Sequence, residues 1–152
     1  MKLRTIALTL MICLVAAICL ASPQMGTWKL NEAKSKIPAG APKNVTVIYE
    51  AAGDKVKVTV DGVDGAGKPT HNVWTGNFDG KDYAVTGDPT SDMRSYKKVD
   101  DRTLEVTGKK DGKVTLTGRI SVSVDGKTRT VNGSGTDSMG MKTEVVSVYD
   151  KQ

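Results

Sequence analysis

The side chain best suited to acid–base chemistry near neutral pH is His71, the single histidine of the chain. It follows Gly67-Lys68-Pro69-Thr70 at the start of a predicted strand. A catalytic triad needs this imidazole beside an activated serine and a carboxylate. No serine lies in a Gly-x-Ser-x-Gly motif, because Asn132-Gly133-Ser134-Gly135 lacks that spacing. The sequence therefore favours a surface histidine and predicts a protein that is not an enzyme.

Carboxylates are the second group that could carry chemistry. Asp88 and Asp92 flank a predicted loop, and Asp100-Asp101 precede a predicted strand. Glycoside hydrolysis needs two carboxyl groups facing each other across a cleft, whereas aspartates in turns commonly bond to nearby backbone groups. The segment Asp61–Gly67 lacks the alternating ligands and distal glutamate of a calcium loop. We expect turn-forming aspartates, with no catalytic residue, metal or cofactor.

Aromatic rings and arginines are the candidates for binding a ligand. Trp74 and Phe78 share one phase of a predicted strand, and they line a pocket if they point inward with Tyr83 and Tyr96. An arginine in a neighbouring strand would orient an acidic head group. The alternatives are rings that simply fill the core and arginines in exposed cross-strand pairs. The predicted ligand-binding residues are Trp74, Phe78, Tyr83, Tyr96, Arg94 and Arg119.

The elements that must position these residues are β-strands. Apolar residues alternate with polar ones with a period of two, as in Val45, Val47 and Tyr49 against Thr46 and Ile48. One phase continues from Val114 through Leu116, Gly118, Ile120 and Val122 to Val124. Residues 22–152 contain 17 Val and 15 Thr, whose β-branched side chains suit a pleated sheet. Asp-Gly pairs mark tight turns between these runs.

The predicted fold is an all-β antiparallel meander. Strands are expected at residues 26–31, 44–50, 55–62, 70–78, 82–86, 93–98, 103–109, 113–124, 127–136 and 141–149. Sequential strands joined by tight turns, without a crossover helix, favour antiparallel pairing. Closure into a barrel of eight to ten strands removes the unpaired edges, and a two-sheet β-sandwich is the alternative. A long segment from Asn31 to Lys43 would cross one end, with a helical turn near residues 33–36.

Residues 1–21 are typical of a signal peptide. Lys2 and Arg4 precede an uncharged, mainly apolar run that ends at Ala21. The large Ile18 before Cys19 disfavours a lipid anchor, and cleavage removes both cysteines of the chain and leaves no stable membrane anchor. The alternative is an uncleaved membrane anchor, for which the run of 17 residues is at the lower limit. The remaining 22–152 form one predicted domain without disulfides. Its net charge falls to about +3, from 20 basic and 17 acidic residues, with the signs interspersed. Such a surface disfavours a nucleic-acid partner.

The opening Gly26-Thr27-Trp28 resembles the Gly-x-Trp signature that begins the first strand of lipocalins and related calycin barrels, and of avidin-type barrels. This resemblance implies an antiparallel barrel that holds a small apolar ligand. It also implies that Gly26 and Trp28 belong to the closed end, often beneath a basic residue of a late strand, here Arg119 or Arg129. The chain departs from secreted lipocalins because it lacks disulfides and their C-terminal helix pattern.

The whole of residues 22–152 also resembles a group of small exported bacterial proteins without an assigned activity. The shared features are Gly26-Thr-Trp-Lys-Leu-Asn with Ser35-Lys36, Asp79-Gly-Lys-Asp-Tyr-x-Val-Thr-Gly-Asp-Pro, Val124-Asp-Gly-Lys-Thr and Val148-Tyr-Asp-Lys-Gln. The predicted function is thus an exported, periplasmic or secreted, non-enzymatic binder of a small apolar molecule. The alternative is an envelope module that binds a protein or polysaccharide and holds no internal ligand.

Overall fold

The computed structural model describes residues 22–136 and 140–152, and the predicted signal peptide lies outside the described residues. Ten strands and one 3₁₀ turn make up the fold. The 3₁₀ turn spans Glu32–Lys34. In chain order the strands are β1 (Gly26–Leu30), β2 (Lys43–Ala52), β3 (Lys55–Val63), β4 (Pro69–Gly76), β5 (Tyr83–Thr86), β6 (Met93–Asp100), β7 (Thr103–Lys110), β8 (Lys113–Val122), β9 (Thr128–Thr136) and β10 (Lys142–Lys151).

The strands form a closed antiparallel barrel. Each strand pairs with its neighbours in sequence, and β1 also pairs with β10. Closure places Gly26 opposite Tyr49 on one side and Leu30 opposite Tyr149 on the other. Every strand therefore has two partners, which removes the open edges that strands otherwise expose. The prediction of an all-β meander barrel is confirmed, and the sandwich alternative is excluded.

The Asp-Gly pairs at 64–65, 79–80, 111–112 and 125–126 lie between strands, as predicted, but Asp61-Gly62 lies within β3 and forms no turn. Between β7 and β8, Asp111 and Gly112 both have positive φ, 49° and 76°. Two successive positive φ angles are the requirement of a type I′ hairpin turn, whose twist matches that of the flanking strands. The Asp-Gly at 125–126 acts differently, because Asp125 accepts hydrogen bonds from the Ser123 hydroxyl and the Lys127 amide.

The core follows the predicted alternation. Val47 and Tyr49 are buried inside the barrel, while Ile48 between them lies on the outer side. Burial of such side chains on nine of the ten strands supplies the main driving force for folding, and the buried residue of β9 is Arg129. The buried apolar residues are Trp28, Val47, Tyr49, Val58, Val60, Trp74, Val85, Tyr96, Leu104, Val106, Ile120, Val122 and Tyr149.

Strand β8 keeps the predicted inward phase only between Leu116 and Val122. Val114 is 55% exposed because two residues of β8 oppose one of β7 at a register shift, which turns the end of the strand. Val124 is 85% exposed because the chain has already left the strand for the 123–127 turn. The prediction that Val114 and Val124 share the buried phase was therefore wrong.

The segment 31–42 makes little regular structure. Its 3₁₀ turn is capped by the Asn31 side chain, which accepts from the Lys34 amide, and Lys36 then pairs with Val146 of β10. The helical turn thus lies slightly before its predicted position. Within residues 22–136 and 140–152, no helix has the length and hydropathy required to cross a bilayer.

Candidate functional site

The four predicted ligand-binding rings lie together, with Trp74 and Tyr96 buried in the core and Phe78 and Tyr83 partly buried against it. Trp74 contacts Tyr96 with ring centroids 4.7 Å apart, and Phe78 lies parallel to Trp74 at 6.4 Å. Tyr83 meets Trp74 edge-on at 5.7 Å, and Tyr49 joins through Tyr96 at 6.4 Å. These are favourable geometries for aromatic pairs. We call these five residues the aromatic cluster.

The aromatic cluster is tightly packed. Trp74 is fully buried, and its indole N–H donates to the Arg94 carbonyl at 2.8 Å. A Cβ at Gly76 would lie 2.5 Å from the Tyr83 ring and 2.6 Å from the Trp74 ring. Glycine at this position therefore lets the two rings approach each other. In this arrangement the rings contact one another rather than line an open pocket.

Arg94 is buried and already paired. Its Nη2 donates to the Asp88 carboxylate at 2.7 Å, and its Nη1 donates to the Asn72 amide oxygen at 3.2 Å. Burial opposes the charged form, but interactions with Tyr96 and Asp88 raise the pKa of Arg94 above its ordinary value. The guanidinium therefore stays charged and ties the 87–92 loop to the barrel.

Arg119 lies apart from the aromatic cluster, on the outer face of β8. Its side chain is 53% exposed, and its Nη1 lies 3.6 Å from a Glu105 carboxylate oxygen. That separation is too long for a direct hydrogen bond. The structure thus brings five of the six predicted ligand-binding residues to one region and leaves Arg119 outside it.

The predicted barrel-closing residues, Gly26 and Trp28, lie together on β1. Trp28 is fully buried, and its indole N–H donates to the Gln24 carbonyl at 2.8 Å. The cation over its ring is Lys151, with Nζ 5.2 Å from the centroid. Gly26 has a φ of +109°, and a Cβ there would lie 3.1 Å from Lys151 Cε. The lysine of β10 thus occupies the place that the lipocalin resemblance assigned to Arg119 or Arg129.

Arg129 instead lies between two tyrosines. Its guanidinium carbon is 5.3 Å from the Tyr49 ring centroid and 5.0 Å from that of Tyr149, and Nη2 donates to the Tyr49 hydroxyl at 2.8 Å. Among the described residues no carboxylate forms an ion pair with this buried group. Burial raises the pKa of both phenols, although the Arg129 charge opposes the shift. The arrangement is a cation–π contact between β9, β2 and β10.

His71 lies on the outer face of β4. Its Nδ1 is 2.6 Å from Oδ1 of Asp61 on β3, and both side chains are more than half exposed. No serine hydroxyl hydrogen-bonds to the ring within the described part of the chain. The same part contains no group of three His, Cys, Asp or Glu residues able to hold a metal ion. This pair makes an exposed cross-strand contact between β3 and β4.

A depression of about 560 Å³ lies elsewhere, on the wall formed by β7–β10. Its lining is a triplet from each strand, and paired residues make three rows across the wall. The middle row faces the interior, whereas eight side chains of the flanking rows face outward. No residue of β1–β6 lines it among the described residues, so it opens on the outer surface. We call it the wall depression; its residues are Glu105, Val106, Thr107, Thr117, Gly118, Arg119, Asn132, Gly133, Ser134, Glu144, Val145 and Val146.

Sequence reasoning did not find this site. Its residues lie on four consecutive strands. Only the register of the strand pairs places Val106, Gly118, Gly133 and Val145 in one row. The recurrence of glycine after successive Asp-Gly-Lys turns marks Gly118 and Gly133 on the inner face of this wall, but it does not indicate the depression on the outer face. Such glycines remove side-chain volume from the inner face of one wall.

No protein-family model matches the chain, and a search of curated proteins also gives no match.

Proposed function

We propose that this chain is an exported, non-enzymatic protein that binds a small molecule at the wall depression. The observation that carries the proposal is the volume of about 560 Å³ at that place, which falls in the range of small-ligand sites. The outward side chains of the lining combine Val146 with hydroxyl, amide and charged groups, because Val106 and Val145 point into the barrel. A ligand with both apolar and hydrogen-bonding surface suits this mixture better than a wholly apolar one.

The packing of the interior supports the outer location. A ligand among the predicted rings would have to separate Trp74 from Tyr96, whose ring centroids are 4.7 Å apart. It would thereby break van der Waals contacts in a densely packed core. Arg94, the predicted head-group partner, already holds Asp88. Arg119 is different, because it lines the wall depression and has only one loose charge contact. It is the predicted ligand-binding residue that we retain for this site.

The test is a substitution that fills the wall depression. Thr117 is exposed on the outer side of β8, so Thr117→Trp adds volume there without disturbing the core. We expect ligands from a metabolite library to raise the melting temperature of the wild type and to lose that effect in the variant. Thr75→Trp, at an exposed position on β4, is the matched control and should keep the shift. Equal shifts in both variants would reject the site.

Export and the lack of catalysis are tested separately. The proposal expects the exported protein to have a mass lower by residues 1–21, and a mass that retains them would contradict export. His71 and Asp61 form the one His–carboxylate contact among the described residues. His71→Ala should therefore leave every phenotype of a deletion strain fully complemented.

The envelope-module alternative has one specific observation in its favour. The wall depression opens on the outside of the barrel, where a large partner has access that an internal ligand site would deny. Recovery of a stoichiometric partner from periplasm by the wild type, and its loss with Thr117→Trp, would favour this alternative.

A further inference from the structure

The polar groups around the wall depression are regularly spaced. Thr107, Thr117, Ser134 and Glu144 oppose one another in successive strand pairs and form one outward row. Neighbouring strands lie about 4.8 Å apart, so the row presents a polar side chain at about that interval over roughly 14 Å. From the spacing we propose that the wall depression binds a linear, hydroxyl-rich oligosaccharide running across β7–β10. This inference rests on the proposed function and names the ligand class of the same site.

The second outward row supplies complementary hydrogen-bonding groups. It consists of Glu105, Arg119, Asn132 and Val146, again in register across the four strands. The separation of 3.6 Å between Arg119 and Glu105 leaves both able to bond a ligand. Sugar hydroxyls both donate and accept, and the carboxylate accepts, the guanidinium donates and the amide does both. A ligand between the rows therefore finds polar partners on both sides along β7–β9, whereas on β10 only Glu144 is polar because Val146 is apolar.

The middle row forms the floor between the two polar rows. On the outer surface this floor is the backbone of Val106, Gly118, Gly133 and Val145, because the two valine side chains point into the barrel. The polar rows are two residues apart along each strand, or about 7 Å, which admits a chain one sugar ring wide. A repeating polymer uses several of these equivalent positions at once, whereas a compact molecule uses one.

The charges do not favour an ionic ligand. Glu105 and Arg119 offset each other, and Glu144 is an exposed carboxylate that water solvates well. Most of the remaining polar side chains, Thr107, Thr117 and Ser134, are neutral hydroxyls. A neutral chain of hydroxyl groups thus matches more of the lining than an amine or an acid does.

The test uses β-1,4-linked glucose oligomers of increasing length, measured by isothermal titration calorimetry against the full mature chain. We expect affinity to rise from one to three sugar units and then to level off, because the rows extend over roughly 14 Å. Thr117→Val and Ser134→Ala should each lower the affinity for the trimer by roughly threefold to tenfold, the effect of one lost hydrogen bond. Thr75→Val is the matched control on the other wall and should leave the affinity unchanged.

Glucose, spermidine and laurate serve as comparison probes and separate the outcomes. Binding of laurate or spermidine, abolished by Thr117→Trp, together with no binding of any oligomer would overturn the oligosaccharide inference and retain the proposed function. If no oligomer and no comparison probe binds in a way that Thr117→Trp abolishes, both the oligosaccharide inference and the proposed function are overturned. Equal affinity for glucose and the trimer would also reject the inference, since one sugar ring would then use all the contacts.

Discussion

Two walls of the barrel use the same strand geometry for different ends. Trp74 of β4, Phe78 of the segment between β4 and β5, and Tyr96 of β6 pack against one another in the aromatic cluster. On β7–β10 the inward positions include Gly118 and Gly133, side by side in register. We call these the aromatic wall and the glycine wall. One wall concentrates side-chain volume inside the barrel, and the other carries the open depression outside it.

The comparison shows how stability and a binding surface are separated in a small all-β domain. Aromatic side chains bury the largest areas and dominate core energetics. The aromatic wall supplies the ring packing of the core, whereas the glycine wall contributes Leu104, Ile120 and other aliphatic side chains, and backbone hydrogen bonds on both sides hold every strand. The outer face of the glycine wall is then free to carry polar rows whose spacing the sheet itself sets.

The largest expected effect is on the unfolding free energy when the aromatic wall is truncated. Trp74→Ala should lower it by about 3–5 kcal/mol, because a fully buried ring and its contacts with Tyr96 and Phe78 are lost. Leu116→Ala on the glycine wall removes a partly buried side chain and should cost about 1–2 kcal/mol. Urea unfolding at pH 7 measures both, and equal losses would contradict the division between the walls.

The two arginines provide a second contrast. Asp88→Asn should cost about 3 kcal/mol, because it leaves the Arg94 charge uncompensated where the paired side chains are only 7% and 10% exposed. Glu105→Gln breaks an exposed pair with Arg119 and should change stability by less than about 0.5 kcal/mol. The same unfolding experiment applies. A cost below 1 kcal/mol for Asp88→Asn would mean that the 87–92 loop is not held by this pair.

Much of the fold could be predicted from the chain. Val47 and Tyr49 alternate with Ile48, and such a period of two fixes both the strand and its buried face. The failures lie where local chemistry interrupts the pattern. Val124 continues the alternation by type, but the Ser123 and Asp125 side chains close a turn first. Val114 lies at a register shift that depends on the partner strand and leaves no mark in its own sequence.

The candidate site was less predictable for the same reason. Aromatic residues stand out in the sequence, so Trp74 and Tyr96 could be predicted as members of one cluster. Whether such rings line a pocket or fill a core depends on packing in three dimensions. Arg119 was assigned to the same group as Arg94, although their strands place one outside and one inside. The wall depression depends on pairing between four strands, which spacing along one chain does not encode.

Glycines on the two walls should respond oppositely to a methyl group. Gly76→Ala forces a Cβ to within 2.5 Å of the Tyr83 ring and should cost about 2 kcal/mol through overpacking. At Gly133 the nearest atom, Val145 Cγ2, lies 3.4 Å from such a Cβ. Gly133→Ala should thus be neutral or stabilise by about 0.5 kcal/mol, since alanine restricts the unfolded chain. Thermal unfolding of both variants checks the pair, and a large loss at Gly133 would show a closely packed glycine wall.

The smallest expected effect is the pH dependence of stability caused by the two tyrosines around Arg129, the buried charge on β9 of the glycine wall. Burial raises the pKa of Tyr49 and Tyr149 above the ordinary 10.0, so both phenols flanking Arg129 stay protonated in the folded state. Above pH 10 the unfolded chain releases these protons and the folded chain does not, so stability falls as pH rises. Between pH 10 and 11 the loss from Tyr49 should be about 1 kcal/mol, and the raised pKa of Tyr149 adds a loss in the same direction.

Tyr49→Phe removes one of the two buried phenols and should make this alkaline loss smaller by about 1 kcal/mol, measured as the urea midpoint at pH 9, 10 and 11. The hydrogen bond from Arg129 to the Tyr49 hydroxyl is lost in the same variant, which lowers stability equally at each pH and leaves the slope interpretable. An unchanged slope would mean that the phenol ionises in the folded barrel. At high pH the Tyr49 phenolate would then compensate the Arg129 charge. The cation–π description of Arg129 would apply only below the pH at which Tyr49 ionises.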